Sequence, residues 1–359
     1  MSSSPVLPTQ QMRDSNIELF RIVLMLMIIA HHYVVNSGVA AHFNYSHISG
    51  NQLFLTLWGW GGKTGINCFL LITGYFMCQK RFTWTKFLKL YLEIKFYKIL
   101  IFAIFCLSGY QAFSLTELHK TVFNVAYGMG RGFAATFVGL FLLTPFINKL
   151  LSVLDKRLHL CLIAVLVTFY SIFGTFFGNR IGEDLGWYVA VYIIGAYLQL
   201  HHHTVFDHKK KMAAAALCSL LLAWASILAI TLVRHQTSAA IPLYHFVADA
   251  NHVLAIVCAV SFFLCFRSLD VGRNRLINTI ASGTFGVLLI HAHGDTMRHW
   301  LWGDVLDVSG HLGSDWLWLH AIGSLAMVYT VCVAIDLLRQ RWIERPFFAW
   351  LRVRFPQLN

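Results

Sequence analysis

Long apolar runs recur from one end of this chain to the other, and short polar loops separate them. That pattern leaves few choices of fold. A backbone in lipid has no water to bond, so spanning segments are helices or closed barrels, and these runs exceed the length a barrel strand needs. Of the 359 residues, 57% are hydrophobic and 12% charged, about half the charge fraction of a soluble domain. Mean hydropathy is +0.62. We read ten spans, near residues 17–37, 54–78, 96–113, 132–150, 159–178, 186–201, 212–233, 250–267, 278–297 and 316–338. The expected fold class is all-α: a polytopic integral membrane protein with about ten transmembrane helices. It belongs in the cell (plasma or inner) membrane.

The formal charge of +12 invites a nucleic-acid reading, but its distribution argues against one. With ten spans both termini share a side, and 21 of the 28 Lys and Arg residues fall in loops on that side. The positive-inside rule then places both termini in the cytoplasm. The organisation expected is a cytoplasmic polar tail over 1–15, a transmembrane domain over 16–338 and a basic cytoplasmic tail over 339–359. No cleavable signal peptide is expected, because the polar tail leads directly into a span-length run. Cations alternate with aromatic and aliphatic residues from Arg81 through Lys86 and Lys89 to Lys98. This spacing predicts an amphipathic helix on the inner membrane surface. Its partner would be anionic lipid or a phosphate-rich cofactor.

Ionisable residues inside apolar runs are costly, on the order of 2.5–3.5 kcal/mol at the centre of a span, and usually face a protein interior or wet cavity. The first run carries Arg21 and, eleven positions on, His32. Eleven helical residues rise roughly 16 Å and make about three turns, so these side chains share nearly one face. His31 falls on another. Glu18 lies three positions from Arg21 and can pair with it as an anchor at the boundary. In the second run, glycines permit close helix approach, while Lys63 and Asn67, four apart, share a face. The ninth run begins on the cytoplasmic side, so His291 reaches about the depth of His32, roughly 20 Å up. His293, Asp295 and Arg298 follow toward the outer mouth. Two imidazoles at one depth, with cations above and below, suit general-base chemistry on an anionic or thioester substrate.

Other features read as structural. The eight cysteines lack metal-ligand or disulfide spacing and are expected to be packing residues. His201–His203 sit in a turn beside Lys209–Lys211, and three adjacent histidines cannot all meet one ion from regular structure; a solvated loop is expected. Pro145 is expected to end its span.

The spaced Arg21 and His32 resemble the first-span signature of the membrane-bound acyltransferase-3 family. Gly65-Ile-Asn67-Cys-Phe-Leu-Leu-Ile-Thr-Gly74-Tyr75-Phe76 is similar to its second-span pattern. Thr284-Phe-Gly-Val-Leu-Leu-Ile-His291, followed by Arg298-His-Trp-Leu-Trp302, resembles its late histidine segment, and Tyr192-Ile-Ile-Gly195-Ala-Tyr197-Leu198 is a further similar stretch. The resemblance runs from residue 16 to about residue 346. One departure is the central span, where the family often has a Trp-Tyr pattern and this chain has Gly132-Phe-Ala-Ala-Thr136-Phe. Some members also carry a fused hydrolase-like domain, which is not expected here.

The resemblance implies an acetyl-CoA-dependent O-acyltransferase. It would move an acyl group, commonly acetyl, from cytoplasmic acyl-CoA to a hydroxyl of cell-surface polysaccharide or a lipid-linked sugar at the outer face. Arg21 and His32 would be the essential pair, with His291 and Arg298 supporting them. Acyl-CoA would be a co-substrate, with no cofactor bound permanently. The remaining partners would be the glycan acceptor and membrane lipids. Arg21, with Lys86 and Lys89, would hold the donor phosphates, while the pantetheine arm spans the rise to His32. The candidate catalytic residues are thus His32, Arg21 and His291, and Asn67, Lys63 or Arg298 would stabilise the oxyanion. A covalent acyl-histidine relay is the alternative chemistry. The rival class is a transporter or flippase for an anionic or lipid-linked sugar, which would use the same cations without consuming acyl-CoA. A catalytically silent partner of a polysaccharide machine is the third reading.

Overall fold

The computed structural model describes residues 14–130, 132–178, 183–237 and 239–355. The polar tail 1–15 therefore falls almost wholly outside the described residues, as do Arg13, Arg131 and Arg180 of the charge distribution. In chain order the helices are α1 (Ser15–Val35), α2 (Gly50–Trp58), α3 (Gly62–Met77), α4 (Trp84–Leu107), α5 (Leu115–Val122), α6 (Asn124–Gly128), α7 (Phe133–Leu151), α8 (Lys156–Leu166) and α9 (Phe173–Phe177). They continue as α10 (Glu183–Leu200), α11 (Lys209–Thr237), α12 (Val253–Ser268), α13 (Arg275–Ser282), α14 (Thr284–His291), α15 (Asp295–Arg298), α16 (Leu317–Arg339) and α17 (Arg345–Arg354). Among the described residues there is no strand. Helix occupies all ten apolar runs, and five helices are long and apolar enough by themselves to cross a membrane: Ser15–Val35, Phe133–Leu151, Lys156–Phe177, Lys209–Thr237 and Leu317–Arg354. A sixth is a bent pair, Arg275–His291 with Asp295–Val305, which turns through 98°.

Local chemistry sets many of these boundaries. Ser49, Thr83, Asp155 and Asn274 each cap a helix by accepting a backbone N–H of its first turn, satisfying donors that have no intrahelical partner. Two expectations are corrected. The segment 81–98 is no separate surface helix: α4 runs unbroken from Trp84 to Leu107 and buries Glu93, Ile94 and Tyr97. Pro145 does not end its span either, since α7 continues to Leu151. The ring removes the N–H that would bond the Phe141 carbonyl, and the Thr144 hydroxyl donates to that carbonyl instead at 2.7 Å, so the helix continues past the proline. The basic segment from 339 onward continues the last long helix. α16 passes through a π turn (Gln340–Glu344) into α17, and Arg339 is buried.

α1 is central and packs against α3, α12, α13, α14 and α16. Its two faces separate two apolar cores. Met25, Ile29 and Tyr33 join Val287, Tyr329 and Val333 on one side; Phe20 and Leu24 join Leu70, Ala190 and Phe263 on the other. Ser15 bonds Asn278, Ser282 bonds Gln340 and Glu93 pairs with Arg339, so the starts of α1, α4 and α13 share one end of the bundle with the finish of α16. Toward the other end Tyr33 meets His320, and partway along α4 Lys98 bonds the His293 carbonyl. The eight cysteines are free, with Cys68, Cys258 and Cys332 buried.

Two contacts make the packing specific. α3 and α10 cross with their backbones touching: a Cβ at Gly74 would fall on the Tyr192 carbonyl, and one at Gly195 on that of Leu71. The second is a buried ionic cluster. Arg339 bonds Asp336 at 2.7 Å, Glu344 at 2.8 Å and Glu93 at 3.0 Å. Tyr97 and Gln340 each bond Asp336 at 2.7 Å, and Lys89 bonds Glu344 at 2.6 Å. The cluster ties α4 to α16 and α17.

We expect Gly74→Ala or Gly195→Ala to destabilise by about 1–3 kcal/mol through overpacking, read as a lower melting temperature in detergent, while Gly313→Ala, which has open space around it, leaves it in place. Arg339→Met strands three buried carboxylates and should cost about 3–5 kcal/mol. The same melting measurement checks it.

Candidate active site

A cavity of about 500 Å³ opens between α1, α3, α4, the α5–α7 segment and the break after α14. Its wall includes His31, His32, Lys63, Lys98, Lys120, His293, Asp295 and Arg298. α14 stops at His291, and the chain bends sharply through Ala292-His293-Gly294 before α15 begins. That break brings His293 and Arg298 to the cavity rather than continuing a straight span.

At the back of the cavity two imidazoles bond each other. His32 Nδ1 lies 2.9 Å from His291 Nε2, and His291 Nδ1 lies 2.6 Å from the Val287 carbonyl oxygen. A carbonyl only accepts, so neutral His291 carries its proton on Nδ1 and presents a lone pair at Nε2. His32 must then donate from Nδ1. Its Nε2 keeps a lone pair, on a ring that borders the cavity. The line from Val287 through His291 to His32 thus fixes one tautomer and aims one basic nitrogen, as a general base requires.

His31 was expected on a different face, yet it also borders the cavity. The reason is Gly62: a Cβ there would fall on the His31 ring, so the missing side chain makes room for a second imidazole. His31 Nδ1 lies 2.5 Å from the Gly59 carbonyl, which by the same logic leaves its Nε2 as an acceptor.

The other expected site residues divide. Lys63 lines the cavity and pairs with Asp249 at 3.6 Å. Arg298 lines it and bonds Asp295 at 2.9 Å, while its Nε–H is buried without an acceptor among the described residues. Asn67, expected to stabilise an oxyanion, is fully buried away from the cavity wall. Its Nδ2 donates to the Ala250 carbonyl at 2.6 Å and its Oδ1 accepts from Trp187 Nε1 at 3.0 Å, so its polar atoms are committed to tying α3, α10 and the 239–252 loop together. Arg21 lies on α1 about three turns before His32 and meets Glu18 at 3.7 Å. Lys86 is exposed and bonds the Arg81 carbonyl at 3.4 Å. Lys89 is committed to Glu344. The structure therefore joins His32, Lys63 and Arg298 around one space, with His291 bonded behind His32, and sets Arg21, Lys86 and Lys89 outside it.

Sequence reading missed Lys98, Lys120 and His293 as wall residues. Lys98 Nζ donates to the His293 carbonyl, while His293 Nε2 lies 3.3 Å from the Lys98 carbonyl, so the two pin α4 to the break. Lys120 sits on α5, a short helix inside what reads as an outer loop, and bonds Glu117 at 2.7 Å. Lys98 carried a signal, being a charge late in a helix, but alternation with aromatics disguised it. The histidine triplet disperses: His201 bonds His159, His202 meets Asp207 and His203 bonds Tyr197.

Comparison with known proteins adds one finding. A model of an acyltransferase domain, Acyl_transf_3, matches residues 14–337. No curated protein and no solved structure matches the chain. The match covers α1 through most of α16, including the helices that carry the paired imidazoles, and so this chain belongs to the acyltransferase-3 family.

Proposed function

We propose that this protein is a transmembrane O-acyltransferase with about ten spans and both termini in the cytoplasm. It moves an acyl group, acetyl being the first choice, from cytoplasmic acyl-CoA to a hydroxyl of a cell-surface polysaccharide or lipid-linked glycan outside the plasma or inner membrane. The observation that carries this reading is the hydrogen-bonded line Val287–His291–His32, which ends in a basic nitrogen beside a cation-lined cavity.

The steps follow from the geometry. His32 Nε2 takes the proton of the acceptor hydroxyl as its oxygen attacks the thioester carbonyl. The tetrahedral oxyanion is met by Lys63 or by Arg298, whose buried Nε–H needs an acceptor. Collapse breaks the carbon–sulfur bond, and the departing thiolate takes the proton from His32. His291 is a positioning residue: it accepts from Nδ1–H of His32 throughout and holds the ring. Arg21, roughly 16 Å along α1 from His32, meets the donor phosphates at the other end, with Lys86 and Lys89 as further contacts. Lys89 would first have to leave Glu344.

Full-length protein in nanodiscs with labelled acetyl-CoA and cell-surface glycan tests this. His32→Ala should lower kcat by about 10²- to 10⁴-fold, whereas Arg21→Ala should raise KM for the donor. Full transfer by a folded His32→Ala variant would overturn the reading. His291→Gln keeps an acceptor for His32 Nδ1–H and should retain most activity. His291→Phe should lose kcat with little change in KM. Equal losses in the two His291 variants would remove the positioning role.

A further inference from the structure

The cavity is more positive than acyl transfer to a neutral sugar requires. Lys63, Lys98, Lys120 and Arg298 line it, against one lining carboxylate, Asp295. Lys63, Lys120 and Arg298 each have a carboxylate partner. Lys98 has no carboxylate within bonding distance among the described residues: its ammonium bonds the His293 carbonyl, and Asp295, already bonded to Arg298, acts on it only from farther off. A cation in the wall of an apolar bundle without an acid is costly unless a ligand supplies the charge. The Nε–H of Arg298, buried with no acceptor among the described residues, is a second unanswered donor on a residue of the same wall.

We propose that the acceptor itself is anionic, carrying a carboxylate or phosphate group close to the hydroxyl that is acylated, and that Lys98, with Lys120 and Arg298, forms the subsite that holds it. This rests on the acyltransferase reading for the ligand's role as acceptor; the anion site itself stands on the cavity. The donor's phosphates are assigned elsewhere. In the acyltransferase reading the donor phosphates meet Arg21, roughly 16 Å along α1 from His32 and not part of this cavity's wall. A thioester at His32 therefore keeps its phosphates out of this cavity. Lys98 is held for the task by its reciprocal bonds with His293, which fix the ammonium at the break. Lys120, on the exposed α5 segment, lines the same cavity.

The test uses the full-length protein in detergent at constant ionic strength, with glucose, glucuronate, glucose 6-phosphate and adenosine 3′,5′-bisphosphate as probes. Binding is read by thermal shift, and transfer of label from acetyl-CoA to the three sugars is measured in parallel. At least one anionic sugar should bind about tenfold or more tightly than glucose, and the carboxylate and phosphate arms tell which group is preferred. Lys98→Gln should erase that preference and Lys98→Arg should keep it. Lys120→Gln, at an exposed site, should weaken it in a variant with little risk of misfolding. Equal binding of glucose and both anionic sugars, or a preference that survives both Gln variants, would overturn the subsite. So would Lys98-dependent binding of the bisphosphate alone, which would hand these cations to the donor. Anionic binding without transfer to any sugar keeps the subsite and defeats the acyltransferase reading. Transfer without any anionic preference does the reverse.

Discussion

A polar group enters an apolar helix bundle only in the company of a partner, and that constraint organises this protein from end to end. The carbonyl orphaned by Pro145 takes the Thr144 hydroxyl, and α7 continues. Arg339 enters the core against three carboxylates. His291 can be fully buried because Val287 accepts from one nitrogen and His32 donates to the other. In lipid the alternative to each bond is a group left unsatisfied, at a cost of several kcal/mol. Exceptions therefore carry meaning, and two belong to the cavity wall: the Arg298 Nε–H has no acceptor among the described residues, and the Lys98 ammonium has a carbonyl but no bonded carboxylate.

The ionic cluster and the cavity are neighbours along shared helices and are mechanically joined. α4 places Glu93 and Tyr97 in the cluster and the adjacent Lys98 in the cavity wall. α14 rests on Asp336 through Gly286, where a Cβ would fall on the carboxyl group, and ends five residues later at His291. α1 runs between its two cores and delivers His32 at its far end. The imidazole pair is thus held by three helices whose mutual positions are set by bonds remote from it. Rigid support of this kind keeps a base within reach of its proton.

Much of the site was legible in one sequence, because charges in apolar runs are costly and helical rise converts spacing into depth. Arg21, His32, His291, Lys63 and Arg298 all drew attention that way, and the structure gathers His32, Lys63 and Arg298 around one cavity with His291 bonded behind His32. What misled were features whose sense depends on a neighbour from elsewhere in the chain. Asn67 looked available until Trp187 and Ala250 took its polar atoms. His31 pointed to another face until Gly62 left it room at the cavity. The stretch 81–98 looked like a surface helix because alternating cations and aromatics read alike whether the partner is lipid or Glu344.

The sequence alone determined that this chain is helical and built for an apolar medium, since lengths of apolar run and scarcity of charge are local properties. It also put His32 and His291 at a common level, because rise per residue is the same in every α-helix. Tertiary structure alone decided which nitrogen of His32 is basic, because the tautomer is fixed by a carbonyl on a helix more than 250 positions away in the chain. It decided too that α4 runs as one rod and that Lys98 lines a cavity, since partners distant in sequence settle which buried charge is answered and which is left open.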